Sequence, residues 1–394
     1  MPDRLFTPRF YIMCAYSFTV FVSLFQLLPT APYHVLELGG SQSASGLFLG
    51  LLTFSSAVSA PFTGSIGDRV GQRKVLIIVS VTLAVFTASY AVIADHRVLL
   101  AVVVVHGLFW SALLSSSGAY MTSTLPPTRR AEGLGYWGLA SVLAIGAAPV
   151  LGFWVYSHGW VALCAEITVL NLMMAAIAWR LPDDHLGASG HEARATPVAH
   201  PSHRVIEWRV LLLSVSLALI SFGYGSLTSF SARYADELGI TPRGLFLTAM
   251  AVSILIGRLS LGRAIDRIGH RRVLTKCLLV PPVGLAVLAL ATGPVTFAVA
   301  ALIFGAGFGL MHPSFTAYVM AHVSSARRGA AFGAMLAAFD TGIGAGSSVM
   351  GWLIGQLGYR PAFGAAAALA ALSLPAFLFL ERRLGFEHRG PGHS

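Results

Sequence analysis

The sequence predicts an all-α membrane protein of twelve transmembrane helices arranged as two six-helix halves. Three observations predict it: apolar runs long enough to cross a bilayer, a one-sided distribution of Lys and Arg, and an internal repeat at half the chain length. Of the 394 residues 56% are hydrophobic and 11% are charged, less than half the roughly 25% charged residues of a soluble domain. Mean hydropathy is +0.74. This balance excludes a soluble enzyme, and the 41 glycines spread through apolar stretches suit helices packed closely in lipid.

Twelve apolar runs of about 20 residues, the length that spans a bilayer core, centre near Phe18, Ala57, Val85, Leu113, Ile145, Leu170, Leu219, Val252, Leu288, Ala306, Ile343 and Leu372. Short breaks separate them, at Gly39-Gly40, at Asp95 to Arg97, at Pro126 to Arg130, at His158-Gly159, at Gly293-Pro294 and at Gly358 to Arg360. One connector is long. Residues 181–204 are polar, carry Pro, Gly and four histidines, and lack apolar periodicity, which predicts a flexible linker. The expected organisation is a first half over 1–180, a cytoplasmic linker over 181–208, and a second half with a short cytoplasmic tail over 209–394. The linker histidines are irregularly spaced, as in a solvated tract rather than a metal site.

With the N-terminus in the cytoplasm, 22 of the 26 Lys and Arg residues fall on the inner side, among them Arg69, Arg73, Arg129, Arg130, Arg258, Arg263, Arg267, Arg271, Arg272, Arg327 and Arg328. Arg97, Arg233, Arg243 and Arg360 are left outside. The positive-inside rule then predicts both termini in the cytoplasm. It also explains the net charge of +10 without nucleic acid, for which aromatic-interleaved basic patches are missing. The first span is read as uncleaved: its apolar stretch exceeds a signal-peptide core and lacks a small-residue cleavage site. Cys14, Cys164 and Cys277 lie singly in apolar runs, as packing residues and not a disulfide or metal framework.

The segment from Gly64 to Leu76 aligns with that from Gly262 to Leu274 at seven of thirteen positions, with an offset of 198. The same offset relates Gly107 to Gly305, Arg129-Arg130 to Arg327-Arg328, Gly135 to Gly333 and Gly146 to Gly344. Two tandem halves of like orientation follow, related by an axis along the membrane normal.

The repeated segment calls for a sharp cytoplasmic turn, which Gly67 and Gly71 around Asp68 and Arg69 suit, with Arg69, Arg73 and Lys74 among anionic headgroups. In Gly64, Asp68, Arg69, Gly71, Arg73 and Lys74 it resembles the signature loop of the major facilitator superfamily, and Asp266, Arg267, Gly269 and Arg271 repeat it. The resemblance covers nearly the whole chain. It implies the major facilitator fold, and it implies that Asp68 and Asp266 govern alternation between inward-open and outward-open states without touching substrate.

In the fifth span Gly146, Pro149 and Gly152 resemble the motif of the superfamily's antiporters, mostly exporters, with Ala148 where that motif has Gly. Helix packing by small residues explains them equally. The fourth span departs from the drug-exporter pattern: Val103 stands at the position of the usual coupling Arg, and His106 at that of a Gln. His106 is either a proton or substrate group or a satisfied helix histidine.

Ionisable residues within the spans are few. Asp340 lies well inside the eleventh span, on a face shared with Gly333, Ala337, Gly344, Ser347 and Gly351. Facing lipid it would cost about 3 kcal/mol on insertion scales, so a polar cavity or a partner is expected. His312 beside Pro313 is a cavity candidate, with Gln26, Tyr33 and His34 in the first span and Tyr224, Ser226 and Ser229 in the seventh. Each has an ordinary alternative in interhelical hydrogen bonding. Glu166 sits near an interface, where hydration explains it.

No Walker A or dinucleotide loop is present, so neither ATP nor another cofactor is expected, and no hydrolase constellation suggests an enzyme. The expected function is secondary active transport, as proton-coupled efflux of a small organic molecule by alternating access. The partners are that substrate, protons and the lipid bilayer, without nucleic acid, and the protein is a monomer in the inner membrane. Around His106-Gly107, His312-Pro313 and Ala338 to Gly344 it resembles bacterial drug and sugar efflux permeases. Proton-symport uptake and a transporter-like ligand sensor are the alternatives.

Overall fold

The computed structural model describes residues 4–182, 207–324 and 327–386. Within these, the side chains of Pro61, Gly64, Ser65, Asp68, Pro127, Ala131 and residues 261–267 lie outside the description, as do most of the long linker and the C-terminal tail. The described chain is helical throughout: α1 (Pro8–Glu37), α2 (Gln42–Val70), α3 (Gln72–Tyr90), α4 (His96–Thr124), α5 (Arg130–Tyr156), α6 (Trp160–Trp179), α7 (Trp208–Leu213), α8 (Val215–Glu237), α9 (Leu245–Ile268), α10 (His270–Ala289), α11 (Pro294–His322), α12 (Arg328–Leu357), α13 (Tyr359–Ala371) and α14 (Ser373–Arg383). With α7–α8 and α13–α14 as interrupted spans, these make twelve crossings.

Ten of the helical segments are long and apolar enough to cross a membrane, and Leu245–Ser260 within α9 is a shorter apolar helix. The exception is α12, whose Gly, Ala and Ser residues and Asp340 dilute its hydropathy. It packs between α2 and α8, so it presents little surface for lipid to solvate. Local chemistry sets several helix starts. Thr7 accepts the Phe10 N–H at 3.2 Å ahead of Pro8, Ser41 accepts that of Ala44 at 3.1 Å, and Asp95 accepts that of Arg97 at 2.7 Å.

Two expectations shift. Asp68 and Arg69 belong to the last turn of α2, and the turn itself is one residue, Gly71 at φ +96°, before α3 begins at Gln72. Gly269 at φ +92° makes the same one-residue turn between α9 and α10. Such backbone is open to glycine and strained for other residues. The ninth span also lies nearer the N-terminus than Leu288, because α10 starts at His270 and takes in Arg271, Arg272 and Lys276.

The helices α1–α6 and α7–α14 meet along α2–α12, α5–α9 and α1–α8. The first pair is tight. A Cβ at Gly46 would lie 2.3 Å from the Ser347 carbonyl oxygen, and one at Gly50 would overlap the Ser348 hydroxyl. At this end of the bundle Tyr33 donates to Asp236 at 2.8 Å and Arg243 donates to the same carboxylate at 2.7 Å. The guanidiniums of Arg233 and Arg243 each lie 5.3 Å from the Tyr33 ring, and Tyr156 donates to Glu37 at 2.5 Å. Toward the opposite end α4 and α11 share no packed interface among the described residues. A Cβ at Gly118 of α4, Gly135 of α5 or Gly333 of α12 would meet nothing within 4 Å. The bundle is therefore closed at the Glu37–Asp236 end and looser at the other.

Candidate functional site

Small residues let α2 and α12 touch, and that contact brings the acid of α12 to a polar partner. Ser347 donates to the Gly46 carbonyl at 2.7 Å and is bonded to Ser229 of α8 at 2.7 Å. Two turns along α12 from Ser347, Ser56 of α2 donates to Asp340 at 3.2 Å. Asp340 thus lies at the seam between the two sets of helices, half-buried, facing a partner and not lipid.

Beside it runs an aromatic row. Tyr224 of α8 stacks on Phe308 of α11 with ring centres 4.4 Å apart, Phe308 lies 6.2 Å from Phe339 of α12, and His312 meets Phe339 edge-on at 5.2 Å. Three of the expected residues, Asp340, His312 and Tyr224, therefore share one neighbourhood. Ser226 and Ser229 serve the α8–α12 contact, Ser226 donating to the Gly346 carbonyl at 3.4 Å and Ser229 bonding Ser347.

The structure adds Arg258 to this neighbourhood. It stands inside α9, ten residues before the helix ends, about 15 Å from that end at helical rise. Its Nε donates to the Gly309 carbonyl of α11 at 3.2 Å and its Nη1 to the Gly138 carbonyl of α5 at 3.4 Å. Among the described residues it has no carboxylate partner. Reading it with the basic loop that follows hides its depth. The signal was present, since apolar Leu259 and Leu261 follow it before Arg263.

His106 and Gln26 are held elsewhere. His106 of α4 is buried, bonded to the Tyr90 hydroxyl at 2.8 Å and stacked on Phe86 and Tyr90 of α3. It borders a cavity of about 10 Å³ also lined by Ser23, Thr87 and Asn171, room for about one water. Gln26 of α1 donates to Glu166 of α6 at 3.2 Å, and His34 stacks on Trp160 at 4.0 Å. These contacts all lie among α1–α6.

The antiporter-like residues sit where α5 meets its neighbours. The Gly146 carbonyl accepts from Thr248 of α9 at 2.8 Å, Pro149 packs against Gly244, and a Cβ at Gly152 would come within 2.9 Å of the Gln26 backbone.

Of the loop motif, Arg73 donates to the Trp179 carbonyl at the end of α6 at 2.5 Å. Its repeat partner Arg271 grips Glu381 near the end of α14 with two bonds of 2.7 Å, and Tyr318 also donates to that carboxylate. Both arginines thus tie the start of the third helix of a repeat to the end of its sixth. Arg69 is exposed. The side chains of Gly64, Asp68, Asp266 and Arg267 lie outside the described residues.

Among the described residues no group of His, Cys, Asp and Glu forms a metal cluster. The profile of the Major Facilitator Superfamily matches residues 12–325 and, in a second overlapping match, 244–392. The chain belongs to the major facilitator superfamily. Its relatives include YhhS of Escherichia coli (strain K12), an uncharacterised MFS-type transporter that is 25% identical over 378 residues, 93% of this chain and 91% of that protein. The staphylopine export protein of Staphylococcus aureus (strain Mu50) is 22% identical over 363 residues, 89% of this chain and 90% of that protein. Among solved structures, the nucleoside transporter NupG superposes with TM-score 0.75 at 13% identity, over 95% of this chain and 99% of that one. The human organic anion transporter MFSD10 superposes with TM-score 0.70 at 15% identity, over 94% and 100%. As a superfamily member the protein is a multi-span membrane transporter of the twelve-helix major facilitator fold, and its relatives are transporters, not enzymes.

Proposed function

We propose that this transporter exports a small organic molecule in exchange for protons, with the halves 1–180 and 209–394 rocking about a central site and residues 181–208 joining them in the cytoplasm. The observation that carries the reading is the Ser56–Asp340 bond, which puts a titratable carboxyl at the seam between the two sets of helices. A carboxyl there meets solvent from one side and then the other as the halves rock, and so carries a proton across. Efflux is further supported by the resemblance of Gly146, Pro149 and Gly152 to the antiporter motif and by an exporter among the relatives.

In this reading the Tyr33–Asp236 end is the outer gate, closed here, and the basic loops lie in the cytoplasm with both termini. Asp68, Arg69, Asp266 and Arg267 bias the equilibrium between the two states. The protein works as a monomer in the inner membrane. The test compares metabolites released by deletion and overexpression strains, and then follows the released compound in inside-out vesicles. Uptake that rises with an inward-acid gradient and collapses with a protonophore supports exchange. Uptake driven equally without a gradient refutes it.

A further inference from the structure

Asp340 and Arg258 are the opposite charges of one neighbourhood, yet they do not neutralise each other. Asp340 is bonded to Ser56, while Arg258 is held by two backbone carbonyls and has no carboxylate partner among the described residues. Arg258 bonds the carbonyl of Gly309, the residue after Phe308, and the Phe308 ring lies 6.2 Å from that of Phe339, the residue before Asp340. The two charges therefore flank one aromatic row.

An intramembrane arginine is costly unless something answers its charge. Carbonyls on α5 and α11 orient this guanidinium, and its Nη2 has no acceptor among the described residues. A planar fork with free donors matches a carboxylate. A lone carboxyl across an aromatic surface matches a cation, and an ammonium bound there displaces the proton that would otherwise occupy Asp340.

We propose that the substrate is a zwitterionic amino-carboxylate, its carboxylate on Arg258, its ammonium on Asp340 and its apolar body along Phe308 and Phe339. This rests on reading Asp340 as the proton carrier, and it explains why substrate and proton exchange: both claim the same oxygen atoms. A purely anionic substrate would favour protonation of Asp340, and so would travel with the proton and not against it.

The test uses the full-length protein purified in detergent and its thermal unfolding midpoint. The probes are two zwitterions, phenylalanine and para-(aminomethyl)benzoate, which differ in charge separation. Each is paired with its single-charge analogues: phenylpropionate and phenethylamine for the first, para-toluate and para-methylbenzylamine for the second. At least one zwitterion should raise the wild-type midpoint by about 2 °C more than either of its analogues. In Arg258→Gln that zwitterion should do no better than its amine, and in Asp340→Asn no better than its acid. Arg258→Lys should keep part of the effect, which separates lost recognition from misfolding.

The inference is overturned if neither zwitterion exceeds its analogues in wild type, or if Arg258→Gln retains the preference. A preserved zwitterion pattern without proton-driven flux in vesicles would sink the exchange reading alone. Proton-driven flux without the pattern would sink only the substrate class.

Discussion

Glu381 is fully buried while the Arg271 side chain that grips it is 45% exposed. Removing either partner is therefore not symmetric. Arg271→Ala removes both guanidinium bonds from a buried carboxylate that Tyr318 still donates to, a loss on the order of 3 kcal/mol for a broken buried pair. Glu381→Gln leaves an arginine that can reach solvent and a neutral amide that still accepts its hydrogen bond. Thermal unfolding should show Arg271→Ala lowering the midpoint by at least twice as much as Glu381→Gln. At this scale the sequence was readable where a side chain announces itself. Asp340 stood out because a carboxylate is rare in an apolar run, and Arg73 and Arg271 because they recur at a fixed offset. Arg258 did not, because basic residues beyond it merged into one loop. The Ser56–Asp340 bond joins residues 284 positions apart, and no local pattern carries such a contact.

Among elements, α2 and α12 bear on each other through backbone, since Gly46 faces the Ser347 carbonyl. Gly46→Ala forces the helices apart at the closed end without disturbing either hydrogen-bond ladder. The expected result is a population shift toward a bundle open at that end. Spin labels at Leu38 and Glu237, in a background without Cys14, Cys164 and Cys277, should show a larger long-distance fraction by pulsed EPR. An unchanged distribution with a lowered unfolding midpoint would make this contact merely structural. Helix positions were legible because lipid demands about 20 apolar residues per crossing. They slipped at α10, where charged side chains at the helix start read as loop and drew the expected centre toward Leu288. In α12 the apolar signal itself is weak. A helix buried among others is selected for closeness, and Gly, Ala and Ser supply closeness at the expense of hydropathy.

For the whole molecule, the repeat and the span count carried the fold class, because duplication and bilayer thickness both write themselves into spacing. Which end is closed was not legible, since a single chain encodes both ends of the alternation. Orientation rests on the 22 basic residues assigned to one side. Moving Arg258 into α9 lowers that number by one and leaves the asymmetry intact. Reporter fusions after Arg204 and at the C-terminus should both report cytoplasm, and a signal from the opposite side would reverse the gate assignment. Coupling in the proposed cycle turns on Asp340 as the carrier of the exchanged proton. Asp340→Asn keeps the shape and removes the titration, so in vesicles it should abolish accumulation driven by a proton gradient, while substrate-for-substrate exchange persists only at raised substrate concentration because the ammonium contact is lost. Uphill accumulation by Asp340→Asn at the wild-type rate and with the wild-type pH dependence would show that the exchanged proton travels on another group.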